Sequence, residues 1–165
     1  MNKFVGVGIL GILGFGAYKI FGMKTFYDKM GTALYNPRIH KIDLKGIAFR
    51  SEIKITNPTK FTLTISKPVI TVTTGGKFIS ENAPEQKVYD IKALGTTIID
   101  TIEIPISWIT MAGYLKDVAK KIPALIALKT YDLKSIIGIL AIPIEMKYSL
   151  YVGSMFYQSD SQKLV

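Results

Sequence analysis

Near neutral pH, proton transfer and metal binding fall most often to histidine, and this chain has only His40, in the stretch RIHKIDL. There is no cysteine and no second histidine. Thiolate metal sites, histidine-pair metal sites and cysteine nucleophiles are therefore excluded. His40 falls on the polar phase of an alternating stretch, which marks it as a surface residue. The carboxylates are scattered singly, without a D-x-D or E-x-x-E pair, so neither a calcium loop nor a glycosidase dyad is indicated.

Two glycine-rich stretches resemble phosphate cradles. Gly6-Val7-Gly8-Ile9-Leu10-Gly11 matches G-x-G-x-x-G, but no strand fits before residue 6, and the body lacks alternating strands and helices. Gly75-Gly76-Lys77 lacks the G-x-x-x-x-G-K-[ST] spacing and sits between two β stretches, so it is expected to be a hairpin turn. No catalytic residue, cofactor or metal site is expected, and the protein is expected not to be an enzyme.

The elements around these residues explain the composition. The chain has 165 residues, a mean hydropathy of +0.29 and a net charge of +9. Of that charge, +7 lies within residues 1–60, beside an uncharged run, FVGVGILGILGFGAY, that extends from Phe4 to Tyr18. As a helix, this segment continued to Met23 is about 30 Å long, the thickness of a bilayer's hydrocarbon core. Residues 1–23 are therefore read as a membrane-anchor helix whose lipid-facing set is Phe4, Val5, Gly8, Ile9, Leu10, Gly11, Ile12, Leu13 and Phe15. Lys19 can snorkel to the head groups, and Phe21, Lys24, Phe26, Tyr27 and Lys29 suit the membrane interface. A cleaved secretory signal is the competing reading. The small-x-small cleavage site is absent, since Ala17 is followed by Tyr18, Lys19 and Ile20.

The lysines after the apolar run place the body on the cytoplasmic or interior face and favour anionic lipid head groups as partners. The same charge, with nine tyrosines and eight phenylalanines, raises nucleic acid as a partner. The aromatics mostly occupy buried phases, however, and the basic excess hugs the apolar segment. Nucleic acid is accordingly not the expected partner.

Residues 24–37 read as a connector, with Asn36-Pro37 opening the folded part. From residue 38 the hydrophobic period is two. Ile42 and Leu44 alternate with charged residues, as do Ile47, Phe49, Ser51, Ile53 and Ile55. Further strands are expected at Phe61–Ser66, from Pro68 to the glycine pair, at Lys77–Ile79, at Val88–Ile91, across TTIIDTIEIPIS, at about Tyr131–Ile142 and from Ile144 to Val152. One amphipathic helix is expected over residues 109–122, ended or kinked by Pro123. The expected fold is all-β with that single helix, an antiparallel fibronectin-like sandwich of seven or eight strands over residues 38–157. Residues 158–165 are expected to form a frayed polar tail.

The order Ile53-Lys54-Ile55-Thr56-Asn57-Pro58-Thr59, Lys67-Pro68-Val69-Ile70-Thr71-Val72 with Gly75-Gly76, and Ile91-Lys92-Ala93-Leu94-Gly95-Thr96-Thr97 leading into Ile102-Glu103-Ile104-Pro105-Ile106 resembles the type 2 late embryogenesis abundant proteins. Their unit is the water-stress and hypersensitive-response (WHy) domain, and the resemblance covers about residues 38–152. It implies a sandwich without catalytic residues, a family-like turn at Asn57 and Pro58, and a membrane-spanning segment ahead of the domain. The function expected is structural or adhesive: a membrane-anchored domain offering edges and loops to a protein partner in a larger assembly. A component joining membrane to shell in a lipid-containing virion, located in the virion membrane, is one alternative. A sandwich holding a lipid or other apolar ligand between its sheets is another.

Overall fold

The computed structural model describes residues 25–26, 28–114, 117–128 and 131–164. Alternating residues drive most of what forms. The strands are β1 (Gly31–Ile42), β2 (Gly46–Thr56), β3 (Leu63–Ser66), β4 (Val69–Thr74), β5 (Lys77–Glu81), β6 (Val88–Ile91) and β7 (Thr96–Ser107). Helices α1 (Trp108–Ala112), α2 (Val118–Ile126) and α3 (Leu133–Leu140) follow, then β8 (Glu145–Val152), β9 (Met155–Gln158) and β10 (Gln162–Lys163). One sheet has the order β1-β2-β7. The other runs β5-β4-β8-β3-β6, with β9 and β10 also on β8. The strand pairings are antiparallel.

The two sheets face each other across a core of branched side chains. Ile47, Phe49, Ile53 and Ile55 of β2 and Ile99, Ile102, Ile104 and Ile106 of β7 share it with Ile65, Ile70, Val72, Ile91, Met146, Leu150 and Val152 of the second sheet. Burying such a side chain fully contributes roughly 1.5–3 kcal/mol each, so this shared face is the main source of stability. Side-chain bonds close both margins. Ser80 Oγ donates to the Pro105 carbonyl and Tyr89 Oη to Asp100 on one side. On the other, Thr32 Oγ1 and Tyr157 Oη lie 3.1 Å apart.

Among the described residues, ten strand segments stand where seven or eight strands were expected. The second sheet is built from short pieces, β3 parted from β4 at Lys67-Pro68 and β5 from β6 by residues 82–87. Asn82 bridges one of these breaks. Its Oδ1 accepts from the Ile70 amide at 2.6 Å and its own amide donates to the Ile70 carbonyl at 3.3 Å, so the side chain continues the ladder. The Gly75-Gly76 hairpin forms as expected, with φ of 53° and 77° and Thr74 opposite Lys77.

Other elements depart from expectation. Asn36-Pro37 lies inside β1 rather than before the folded part. Asn36 takes φ of 51°, the register slips between Tyr35 and Arg38, and the buried Ser51 hydroxyl donates to the Tyr35 carbonyl at 3.1 Å. A bulge on an outer strand tolerates proline because no partner there needs its missing amide hydrogen. Phe26 is also no membrane-interface residue: it is 0% exposed and belongs to the core. The folded body thus begins within the segment read as a connector.

The single helix expected over 109–122 is two, α1 and α2, separated where Asp117 takes the left-handed conformation with φ of 63°. Pro123 lies inside α2 and does not end it. The β stretch expected at 131–142 is α3. Asp132 caps it by accepting from the Ser135 amide at 2.8 Å, and Ile136, Ile137 and Leu140 bury one face. The isoleucines suited either structure, and the cap with its 3.6-residue spacing settled on helix. The tail is not frayed either. Tyr148 and Ser159 exchange two hydrogen bonds, Gln162 and Lys163 pair with Met146 and Glu145, and the Leu164 amide donates to Ile144.

Candidate functional site

His40 is exposed on β1. Among the described residues, no three histidine, aspartate or glutamate side chains gather to hold a metal ion. The carboxylates of the first sheet face cations instead. Glu52 takes a bidentate pair of hydrogen bonds from Arg38, at 2.9 and 3.1 Å, and another from Thr101 at 2.8 Å. The Arg38 guanidinium, then Thr101, hold the Glu52 carboxyl below its usual range against the opposing effect of burial. Arg50 bonds Glu103, and Lys41 bonds Asp43. The Asp43 carboxyl is lowered by Lys41 first and by the Lys45 and Gly46 amides after it. Such groups are ionised acceptors at neutral pH and cannot deliver a proton there.

Among the described residues, surface cavities adjoin this sheet. One of about 250 Å³ is lined by Lys41, Asp43, Gly46, Glu103, Pro105 and Ser107 among others. Another of about 310 Å³ is lined by Lys67, Asn82, Glu85, Thr101 and Glu103 among others. Neither includes His40, and Asp43, Glu85 and Glu103 in their walls are each paired with lysine or arginine.

The turn at Asn57 and Pro58 is a buried knot. Asn57 is 0% exposed. Its Nδ2 donates to the Phe61 carbonyl at 2.7 Å and to the Ile91 carbonyl at 3.2 Å. Its Oδ1 accepts from the Thr59 amide at 2.9 Å and the Thr59 hydroxyl at 2.7 Å. The Asn57 amide donates to Gly95, and the Leu94 amide to Thr59. The two stretches around Asn57 and Gly95, far apart in sequence, are thus tied side by side at one end of the sandwich. Pro58 is exposed.

Between the sheets, the buried Tyr148 hydroxyl is pushed up to about 12, chiefly by burial. An ordinary tyrosine ionises near 10. The unfolded chain therefore ionises first, and the contribution of Tyr148 to stability, complete below pH 10, is lost as pH rises toward 12. An ultraviolet absorbance titration is expected to show a late-ionising phenol that vanishes in Tyr148→Phe. A titration identical in the two proteins would remove the assignment.

The first sheet also has two distinct ends. Gly31, Thr56 and Thr96 stand in one row at the end where the described chain enters, next to the Asn57 knot. The loop between β1 and β2 lies at the other. There Trp108 Nε1 donates to the Asp43 carbonyl at 2.7 Å and its amide to Lys45 at 3.1 Å. A Cβ on Gly46 would stand 2.0 Å from the Ile106 carbonyl oxygen, so only glycine lets this loop close on β7. Leu44 and Ile109, 83% and 88% exposed, both stand at this end, beside the Trp108 bonds, with the exposed Lys41 and Lys45. Phe78, also exposed, accepts a hydrogen bond at its carbonyl from the Tyr114 hydroxyl, two residues beyond α1. Sequence reading missed this tip, because Leu44 continues an alternating pattern and Ile109 begins a helical one.

The anchor residues Phe4, Val5, Gly8, Ile9, Leu10, Gly11, Ile12, Leu13 and Phe15 lie outside the described residues, as do Lys19, Phe21, Lys24 and Tyr27. Lys29 is exposed. Among the described residues no helix is long and apolar enough to cross a membrane.

No protein-family model matches the chain, and no curated protein matches it. Solved structures do. A protein from Archaeoglobus fulgidus matches with 8% identity and a TM-score of 0.46, over 82% of this chain and 91% of its own. One from Arabidopsis thaliana has 13% identity and a TM-score of 0.46, over 81% of this chain and 80% of its own. A protein described as late embryogenesis abundant has 10% identity and a TM-score of 0.39, over 90% of this chain and 86% of its own. This chain is therefore similar, at low identity, to solved structures that include one of the late embryogenesis abundant type.

Proposed function

We propose that the protein is a non-enzymatic, membrane-tethered β-sandwich of fibronectin-like, WHy-type build that holds an apolar tip away from a bilayer for a protein partner. The observation that carries this reading is the path of β1. Its 12 residues run from the end where the chain enters to the end that displays Leu44 and Ile109. At roughly 3.3 Å per residue that separates the two ends by about 40 Å. An apolar anchor in residues 4–18 then leaves the tip facing outward. Exposed apolar side chains grouped at one end among lysines suit an interaction surface. A two-ended part of this kind suits the join between a membrane and a protein layer, the shell of a lipid-containing virus included. The ligand-carrying alternative has no support in the packing, since isoleucines from both sheets fill the space between them.

Flotation tests the tether. The full chain is expected to rise with vesicles containing phosphatidylglycerol, and a variant with Ile9, Leu10, Ile12 and Leu13 all changed to Ser to stay behind with unchanged Trp108 fluorescence. Equal behaviour of the two would end the proposal.

A further inference from the structure

We infer that the loop carrying Leu94, with Lys60 and Lys92 beside it, is a lipid-contact site that seats the entry end of the sandwich on an anionic head-group surface. This rests on the tether proposed above and names which part of the body touches the membrane. Leu94 is 68% exposed, yet it takes a left-handed backbone with φ of 50°. Leucine is poorly suited to that conformation, where asparagine or glycine is better tolerated. Folding therefore gains nothing local from leucine here, and no burial compensates. The Leu94 amide is bonded to the Thr59 carbonyl, which places exposed Lys60 next to the loop, and the Gly95 amide is bonded to the Lys92 carbonyl. The Asn57 amide bonded to Gly95 sets this loop beside the row of Gly31, Thr56 and Thr96, and exposed Lys29 precedes Gly31 by two residues, so the basic apolar loop lies where the N-terminal segment joins the body. An apolar side chain between lysines matches the boundary between acyl chains and anionic head groups, where each added lysine strengthens attraction.

The absence of cysteine makes the test direct. Single-cysteine variants Leu94→Cys and Leu44→Cys of the full chain would carry a fluorophore in vesicles of phosphatidylcholine with phosphatidylglycerol, and quenching by lipids brominated near the head group would be read. The label at 94 is expected to be quenched several-fold more than the label at 44, and the difference to shrink in pure phosphatidylcholine. Leu94→Asn is expected to fold with an unchanged or higher melting temperature, while Lys60→Glu with Lys92→Glu weakens quenching at 94. If the chain floats while the label at 94 is no more quenched than that at 44, the contact site is refuted and the tether stands. Quenching at 44 in place of 94 refutes it too, by reversing the orientation. A chain that does not float overturns the tether and the contact together.

Discussion

Asn57→Asp is expected to lower the unfolding free energy by about 3–5 kcal/mol, more than Asn57→Ala does, although it is the closer match in shape. The reason is the polarity of the knot. Aspartate keeps the oxygen that accepts from Thr59 but aims a second oxygen at the Phe61 and Ile91 carbonyls, 2.7 and 3.2 Å from the nitrogen it replaces. Acceptors then face acceptors in a fully buried site. Alanine removes the same bonds but sets neither a buried charge nor a repelling oxygen against the two carbonyls. For a domain of this size, 1 kcal/mol corresponds to about 2–4 °C in Tm. Urea titrations followed by Trp108, the single tryptophan and itself buried, read the effect. The aspartate variant should regain part of its stability in acid, where a protonated carboxyl can donate again. Aspartate as stable as wild type would mean that the amide nitrogen faces Thr59 and the oxygen faces the carbonyls.

Phe26→Ala is expected to cost about 3–5 kcal/mol, the range for deleting a buried phenylalanine from a packed core. Phe26 is 0% exposed and shares the core with both sheets, while the Met30 amide bonds its carbonyl at 2.7 Å. Phe26→Leu, which keeps most of the volume, should cost under about 1.5 kcal/mol. The same urea titration checks both. An alanine variant with an unchanged midpoint would return Phe26 to the membrane interface and place residues 25–30 outside the folded body.

The contrast between Phe26 and the strands shows what kind of information was legible in advance. A period of two states which face of a strand is buried whatever it packs against, so Ile47 to Ile55 and Ile102 to Ile106 could be placed before any contact was known, whereas Ile98 breaks the expected phase: the register of β2 on β7 slips between Ser51 and Ile53, and Ile99 is buried in its place. The glycine pair stated its turn because few residues accept positive φ. Phe26 had no such pattern around it. Beside an apolar run and several lysines it has the composition of a membrane interface, and only the room between the sheets draws it inward. The α3 stretch failed for a related reason: its isoleucines satisfy either period over a short window, and the Asp132 cap decides it.

The described residues with reactive side chains behave likewise. Composition alone ruled out thiol chemistry and histidine pairs, since absent side chains stay absent in any fold. The partners of Glu52 and Asp43 were not legible, because ion pairing depends on register, and one residue of slip exchanges the faces of a strand. What the chain determines by itself is therefore the alternation that makes sheets, the turn residues that punctuate them, the concentration of positive charge near its start and the chemistries it lacks. Tertiary structure decided that Asn57 is a buried knot, that Phe26 belongs to the body, and that Leu44 and Ile109 stand at one end while Leu94 is tied beside Thr59 at the other. Those are distances between residues remote in sequence, and local propensity carries no term for them.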